Sequence, residues 1–229
     1  MQITHAILLG FLSSTNAAPE PPLWAKTFTQ SFDETVTYPV IGTKKTKGVY
    51  YYDVSDPTNM LTRIDRDNGQ WDRYCGLTHG QFSASKCNQY VSNGDRYIHY
   101  PDSDDCCYCC SADHGCGVLS NNWITDGAYL DEETMDGVDT YKWNKQGAQA
   151  NWYFETKADK AADRVPVKSD MGVGSSTEFI QDWIPSTYKA SVAAGTFTLP
   201  NTCSKGNTCS ILSVCTALRA QSIFADFLQ

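Results

Sequence analysis

Asn88-Gln-Tyr-Val-Ser-Asn-Gly-Asp-Arg-Tyr-Ile-His-Tyr-Pro101 is the stretch that decides the fold. Asn93-Gly94 stands between two runs rich in aromatic and β-branched residues. Both central positions of a type I′ turn need a positive φ, which asparagine and glycine accept, and the twist of that turn matches two antiparallel strands. The segment therefore reads as a hairpin, Asn88–Ser92 against Asp95–Pro101. The same pattern recurs on both sides. Thr27–Val40 puts Phe28 and Phe32 on one face among hydroxyl and acidic groups. Gly48-Val-Tyr-Tyr-Tyr-Asp-Val54 is bounded by the turn signal Asp56-Pro57. Met60–Asp67 alternates, with Met60, Thr62 and Ile64 opposite Arg63 and Asp65, and Asp67-Asn-Gly-Gln70 supplies a turn before Trp71–Leu77. Val118–Leu119, Ile124–Leu130, Thr140–Lys145, Asn151–Lys157, Arg164–Lys168 and Thr177–Trp183 read as further strands, with turns at Asp136-Gly137 and Gln146-Gly147. Helix formers gather only at 158–163 and 210–227, where Ile211, Cys215, Leu218 and Phe224 approximate one face. About ten short strands with frequent turns predict a mainly β chain, an antiparallel sandwich or a partly open barrel.

The chain has 229 residues, 41% hydrophobic and 19% charged, which suits one domain with its own core. No run approaches the roughly 20 apolar residues of a membrane-spanning helix. The apolar run Ala6–Leu12, followed by Ser13-Ser-Thr-Asn-Ala-Ala18 before Pro19, reads as a signal peptide over 1–18, leaving 19–229 as a single β domain with a cysteine-rich, partly helical C-terminal segment. Secretion is the expectation. The net charge of −8 gives no basic stripe to neutralise phosphates, so nucleic acid is excluded as an expected partner.

Ten cysteines stand at Cys75, Cys87, Cys106, Cys107, Cys109, Cys110, Cys116, Cys203, Cys209 and Cys215. An even number behind a leader predicts five disulfides. Neighbours such as Cys106 and Cys107 point to opposite faces of an extended chain, so the Cys106-Cys-Tyr-Cys-Cys110 cluster must reach elsewhere for partners. The choices are Cys75, Cys87 and Cys116 nearby and the three C-terminal cysteines, and spacing does not select among them. The competing reading is a zinc site drawn from the cluster, His114 and Cys116.

Catalytic signatures are missing. There is no Gly-x-Ser-x-Gly elbow, no His-Glu-x-x-His and no phosphate-cradling loop. A hydrolase would need His79, His99 or His114 beside a nucleophile in a cleft. Asp102-Ser-Asp104-Asp105 offers three hard carboxylates in one turn, a candidate calcium site in Asp102, Asp104 and Asp105. The aromatics are more telling. Tyr141 and Trp143 share a face, as do Trp152 and Phe154 with Tyr153 opposite. Strands apolar on both faces either fill a closed core or line a pocket for an apolar ligand, and the residues alone leave both open.

The order of these segments resembles the ependymin-related proteins. The resemblance rests on Gly48-Val-Tyr-Tyr-Tyr-Asp53 followed by Thr62-Arg-Ile-Asp65, the Tyr97-Ile-His-Tyr100 strand leading into cysteines, then Tyr141-Lys-Trp143, Trp152-Tyr-Phe154 and Arg164-Val-Pro166. His114-Gly-Cys-Gly-Val-Leu119 and the dense cysteines are closer to divergent members from single-celled eukaryotes. The resemblance implies two stacked, curved antiparallel sheets around a hydrophobic pocket, an architecture similar to bacterial periplasmic lipoprotein carriers. It implies a secreted, non-enzymatic protein that binds a lipid or other hydrophobic molecule, with calcium as a linked ion. In that arrangement Phe28, Phe32, Tyr50, Tyr52, Ile64, Tyr97, Tyr141, Trp143 and Tyr153 are the expected ligand-facing side chains. The competing function is an extracellular structural or adhesive protein that self-assembles through its strand edges.

Overall fold

Strand alternation is explicit in the burial of the first strand. The computed structural model describes residues 18–40, 42–76, 84–146, 150–173 and 177–225, so all of the expected leader except Ala18 lies outside the described residues. In β1 (Thr27–Tyr38), Phe28, Gln30, Phe32, Glu34 and Val36 are buried and every residue between them is partly exposed. One face of this strand thus meets the core. The strands that follow are β2 (Gly42–Asp53), β3 (Leu61–Arg66), β4 (Cys87–Ser92), β5 (Asp95–Tyr100) and β6 (Asp105–Ser111). After a long irregular segment come β7 (Ala128–Met135), β8 (Val138–Gln146), β9 (Ala150–Thr156), β10 (Pro166–Val173) and β11 (Thr177–Trp183). One helix, α1 (Val214–Ala225), and three short 3-10 turns complete the described elements.

All eleven strands form one antiparallel sheet in the order β6-β5-β4-β3-β2-β1-β11-β10-β9-β8-β7. The chain starts at the centre with β1 and meanders out to β6. It then crosses to the far edge at β7 and meanders back, so that β11 pairs with β1, Phe32 opposite Trp183. The mainly β, curved, disulfide-rich fold expected from sequence is what forms, with one difference: the two expected sheets are joined along β1 and β11 into one. Curvature follows from a single side chain. Trp24 has its ring within 5.5 Å of Tyr52 on β2 and 6.2 Å of Tyr153 on β9. Those strands are four pairings apart, about 19 Å across a flat sheet. Only a sheet curled round Trp24 brings both within reach.

Two of the expected hairpin turns form as read, Asn93 and Gly94 with φ of 51° and 76° and Asp136 and Gly137 with 50° and 80°, while Gly147 of the third lies outside the described residues. Two expected strands do not form. At 71–76 the Asp72 carboxylate accepts the backbone N–H of Tyr74 and of Cys75, both at 2.9 Å, which gives the backbone a turn in place of a ladder. Val118–Leu119 is an irregular strap, with Gly117 before it and Ser120 after, that crosses over the sheet.

The cysteine cluster, by contrast, lies on an edge strand. A bulge opposite Arg96 and Tyr97 lets Tyr108 and Cys110 pair with neighbouring residues, so Cys109 is the extra residue and both Cys109 and Cys110 are fully buried. The pairs are Cys75–Cys87, Cys106–Cys203, Cys107–Cys209, Cys109–Cys215 and Cys110–Cys116. Three of them bind the C-terminal segment to β6. That segment also covers the strand's open edge, with the Tyr108 N–H donating to the Asn207 carbonyl at 2.7 Å and the Cys209 N–H to the Tyr108 carbonyl at 3.0 Å. At the other edge, β7 exposes Asp131, Glu132 and Glu133, charges that discourage edge-to-edge pairing.

Candidate functional site

The inward residues of β1 to β4 lie in cross-strand rows. Phe32, Gly48, Arg66 and Cys87 form one row, and Gln30, Tyr50, Ile64 and Gln89 the next. Gly48 decides what happens in the first. A Cβ there would stand 2.3 Å from the Asp65 carbonyl oxygen and 2.4 Å from the Phe32 ring. With no side chain on β2 at this point, Arg66 crosses from β3 toward β1, its guanidinium 5.6 Å over the Phe32 ring. It grips Glu34 with two hydrogen bonds, Nε to Oε1 at 3.1 Å and Nη2 to Oε2 at 2.8 Å, and lies 3.3 Å from the Asp72 carboxylate.

From Asp72 the polar chain continues. Gln89 Nε2 donates to Asp72 Oδ1 at 2.7 Å, and Arg96 Nη1 donates to Gln89 Oε1 at 2.8 Å. Arg96 also donates to the carbonyls of Cys116 and Gly117, each at 3.2 Å, and so anchors the start of the strap. Other anchors of the strap include the Tyr52 hydroxyl, which donates to the Leu119 carbonyl at 2.8 Å, and the backbone N–H of Trp24, which donates to the Asn121 carbonyl at 2.9 Å. Burial pulls down the pKa of both guanidiniums. For Arg66 the charges of Asp72 and Glu34 more than reverse this and leave it raised, whereas Arg96 stays lowered. Tyr50, next to both, is raised by burial, with the Thr62 hydrogen bond and the two arginines opposing.

Between the sheet and this strap lies a cavity of about 630 Å³, the size of a small-molecule site. Its apolar wall includes Trp24, Tyr50, Ile64, Val118, Leu119, Trp123, Met171, Phe179 and Trp183, and its polar wall includes Glu34, Arg66, Asp72, Gln89 and Arg96. Of the nine side chains expected to face a ligand, Tyr50 and Ile64 line it. Phe28, Phe32, Tyr52, Trp143 and Tyr153 lie in the packed core beneath, and Tyr141 is packed against that core. Tyr97 faces the opposite side of the sheet, packed with Tyr90 and Cys106 against Leu199 and Cys203. Most of the cavity wall lies outside the residues that the sequence singles out. Arg66 had a signal, sharing the parity of Thr62 and Ile64, and so did Phe179 and Trp183, two positions of one alternating strand. Trp24 and Trp123 had none, since neither sits in a strand.

The other candidate groups fall elsewhere. His99 Nε2 lies 3.2 Å from Asp104 and His114 Nδ1 2.8 Å from the Ser111 hydroxyl across one short turn; neither histidine lines the cavity, and His79 lies outside the described residues. Asp102, Asp104 and Asp105 are exposed. Among the described residues the one group of three or more His, Cys, Asp or Glu with ligand atoms within 4.8 Å of each other is Cys109, Cys110 and Cys116. All three sulfurs are in disulfides, and no cysteine is free, so the zinc reading lapses for want of thiolates. No described helix is long and apolar enough to cross a membrane.

Comparison with known proteins corrects one expectation. No family model and no curated protein matches the chain. The solved structures it resembles point away from ependymins. They include a DUF1329 family protein from Desulfovibrio piger (TM-score 0.40, 10% identity, 76% of this chain and 90% of that one) and a LolA superfamily protein from Nitrosomonas europaea (0.37, 12%, 76% and 91%). A third is a putative outer membrane lipoprotein-sorting protein domain from Vibrio parahaemolyticus (0.40, 7%, 75% and 89%). The short aromatic motifs that suggested ependymin-related proteins record the alternation of a curved sheet, which unrelated sequences share. Identities this low speak to fold alone.

Proposed function

We propose that this is a secreted protein that acts by binding, and that it holds a hydrophobic or amphiphilic small molecule between its curved sheet and the 115–123 strap. One observation carries the reading: aromatic and aliphatic side chains from both halves of the sheet surround about 630 Å³ that the protein's own side chains leave open. A core built only for stability closes such space, because interiors pack at crystal-like density. Five disulfides suit an oxidising compartment. The self-assembling alternative calls for a filled core and broad apolar surface patches. Among the described residues, the most exposed large hydrophobics include Val40 and one adjacent pair, Ile211 and Leu212.

Native mass spectrometry of protein from its own secretory source, before and after organic extraction, tests the proposal. A monomer with a lipid-sized adduct that extraction removes is the expected result. A ligand-free species that builds higher oligomers refutes carrying and favours assembly.

A further inference from the structure

The cavity's polar wall is one-sided. Its two carboxylates are spent: both Glu34 oxygens take bonds from Arg66, and Asp72 Oδ1 takes three N–H donors while Oδ2 faces Arg66. The Gln89 carbonyl oxygen is taken by Arg96. Two buried donors on the wall have no partner, Arg66 Nη1 and Trp123 Nε1. Arg66 is only 7% exposed. A buried donor left unmet costs about 1–3 kcal/mol, and charged groups cost more. The balance of charge points the same way: Arg66, Arg73, Arg96 and Lys145 line the cavity against Glu34 and Asp72, in a chain of net charge −8.

Building on the binding function proposed above, we infer that the occupant is an amphiphile with an oxygen head that only accepts hydrogen bonds, seated with that head against the Arg66 guanidinium and its hydrocarbon chain along the aromatic wall. A carboxylate and an ester carbonyl share this chemistry. A cationic head is disfavoured, since both carboxylates on the wall are already engaged and the arginines repel it.

Calorimetric titration of the full chain with three ligands of equal chain length tests the inference: dodecanoate, methyl dodecanoate and dodecyltrimethylammonium. Dodecanoate is expected to bind at least roughly tenfold more tightly than the ammonium, the scale of one charge-assisted hydrogen bond. Methyl dodecanoate separates the sources, matching dodecanoate if a neutral carbonyl suffices and falling to the ammonium if charge is required. Arg66→Lys keeps a cation for Glu34 and Asp72 but removes the planar fork, and is expected to erase most of the preference while its melting curve reports folding. Equal binding of the acid and the ammonium by the wild-type chain overturns the inference and leaves the binding function standing. Failure of all three to bind overturns both.

Discussion

Glu155 on β9 makes the stability of this protein depend on pH in an unusual direction. The residue is 1% exposed, with Oε1 accepting from Arg164 Nη1 at 2.9 Å and from Trp143 Nε1 at 3.1 Å. Burial raises the carboxyl and both partners oppose it; burial wins, and the group is pushed up to about 7 from its ordinary 4.5. Between those values the folded protein keeps a proton that the unfolded chain has released, so stability falls as pH rises. The contribution is fully present below pH 4.5 and is lost as pH climbs through 7. At about 1.4 kcal/mol per pH unit this amounts to roughly 3 kcal/mol. Glu155→Gln keeps the shape and cannot titrate. Burial also raises Asp170 and Asp182, but their effects cancel in the difference between the two proteins. Urea unfolding at pH 4 and pH 8, followed by tryptophan fluorescence, should show wild type losing roughly 3 kcal/mol more than the variant. A difference that stays flat, or that grows in favour of wild type at pH 8, would show that Arg164 holds the carboxylate charged and would refute the reasoning.

Gly48→Ala forces a methyl against the Asp65 carbonyl and the Phe32 ring, so urea unfolding should report a loss of about 1–3 kcal/mol, and the displaced Arg66 should weaken dodecanoate binding with it. Replacing Cys109 and Cys215 together by serine opens a loop of 106 residues; the chain-entropy model predicts a loss approaching about 4–5 kcal/mol, reduced because Cys107–Cys209 still joins the same two segments. Thermal melts of the double variant and wild type under non-reducing conditions check this.

Local chemistry was legible in the sequence wherever neighbours along the chain decide the outcome. Asn93-Gly94 and Asp136-Gly137 take the positive φ their turns require, and period-two alternation put Phe28 and Phe32 on the buried face of β1 and Tyr50 with Ile64 on the cavity wall. The adjacent cysteines also behaved as an extended chain demands: Cys106 and Cys107 reach different partners. What stayed hidden depended on distant segments meeting. The sequence places Tyr97 on the ligand side, yet β5 is covered on both faces, by the C-terminal segment on one and the core on the other, so its apolar pattern carries no direction. The pairing of β1 with β11 closes about 150 residues of chain, and no local signal records it. The same holds for the site. Each strand's own sequence determined that alternate side chains turn inward. Only the curl of the sheet round Trp24, and the strap held by Tyr52 and Arg96, decided which of them pack as core and which border open space.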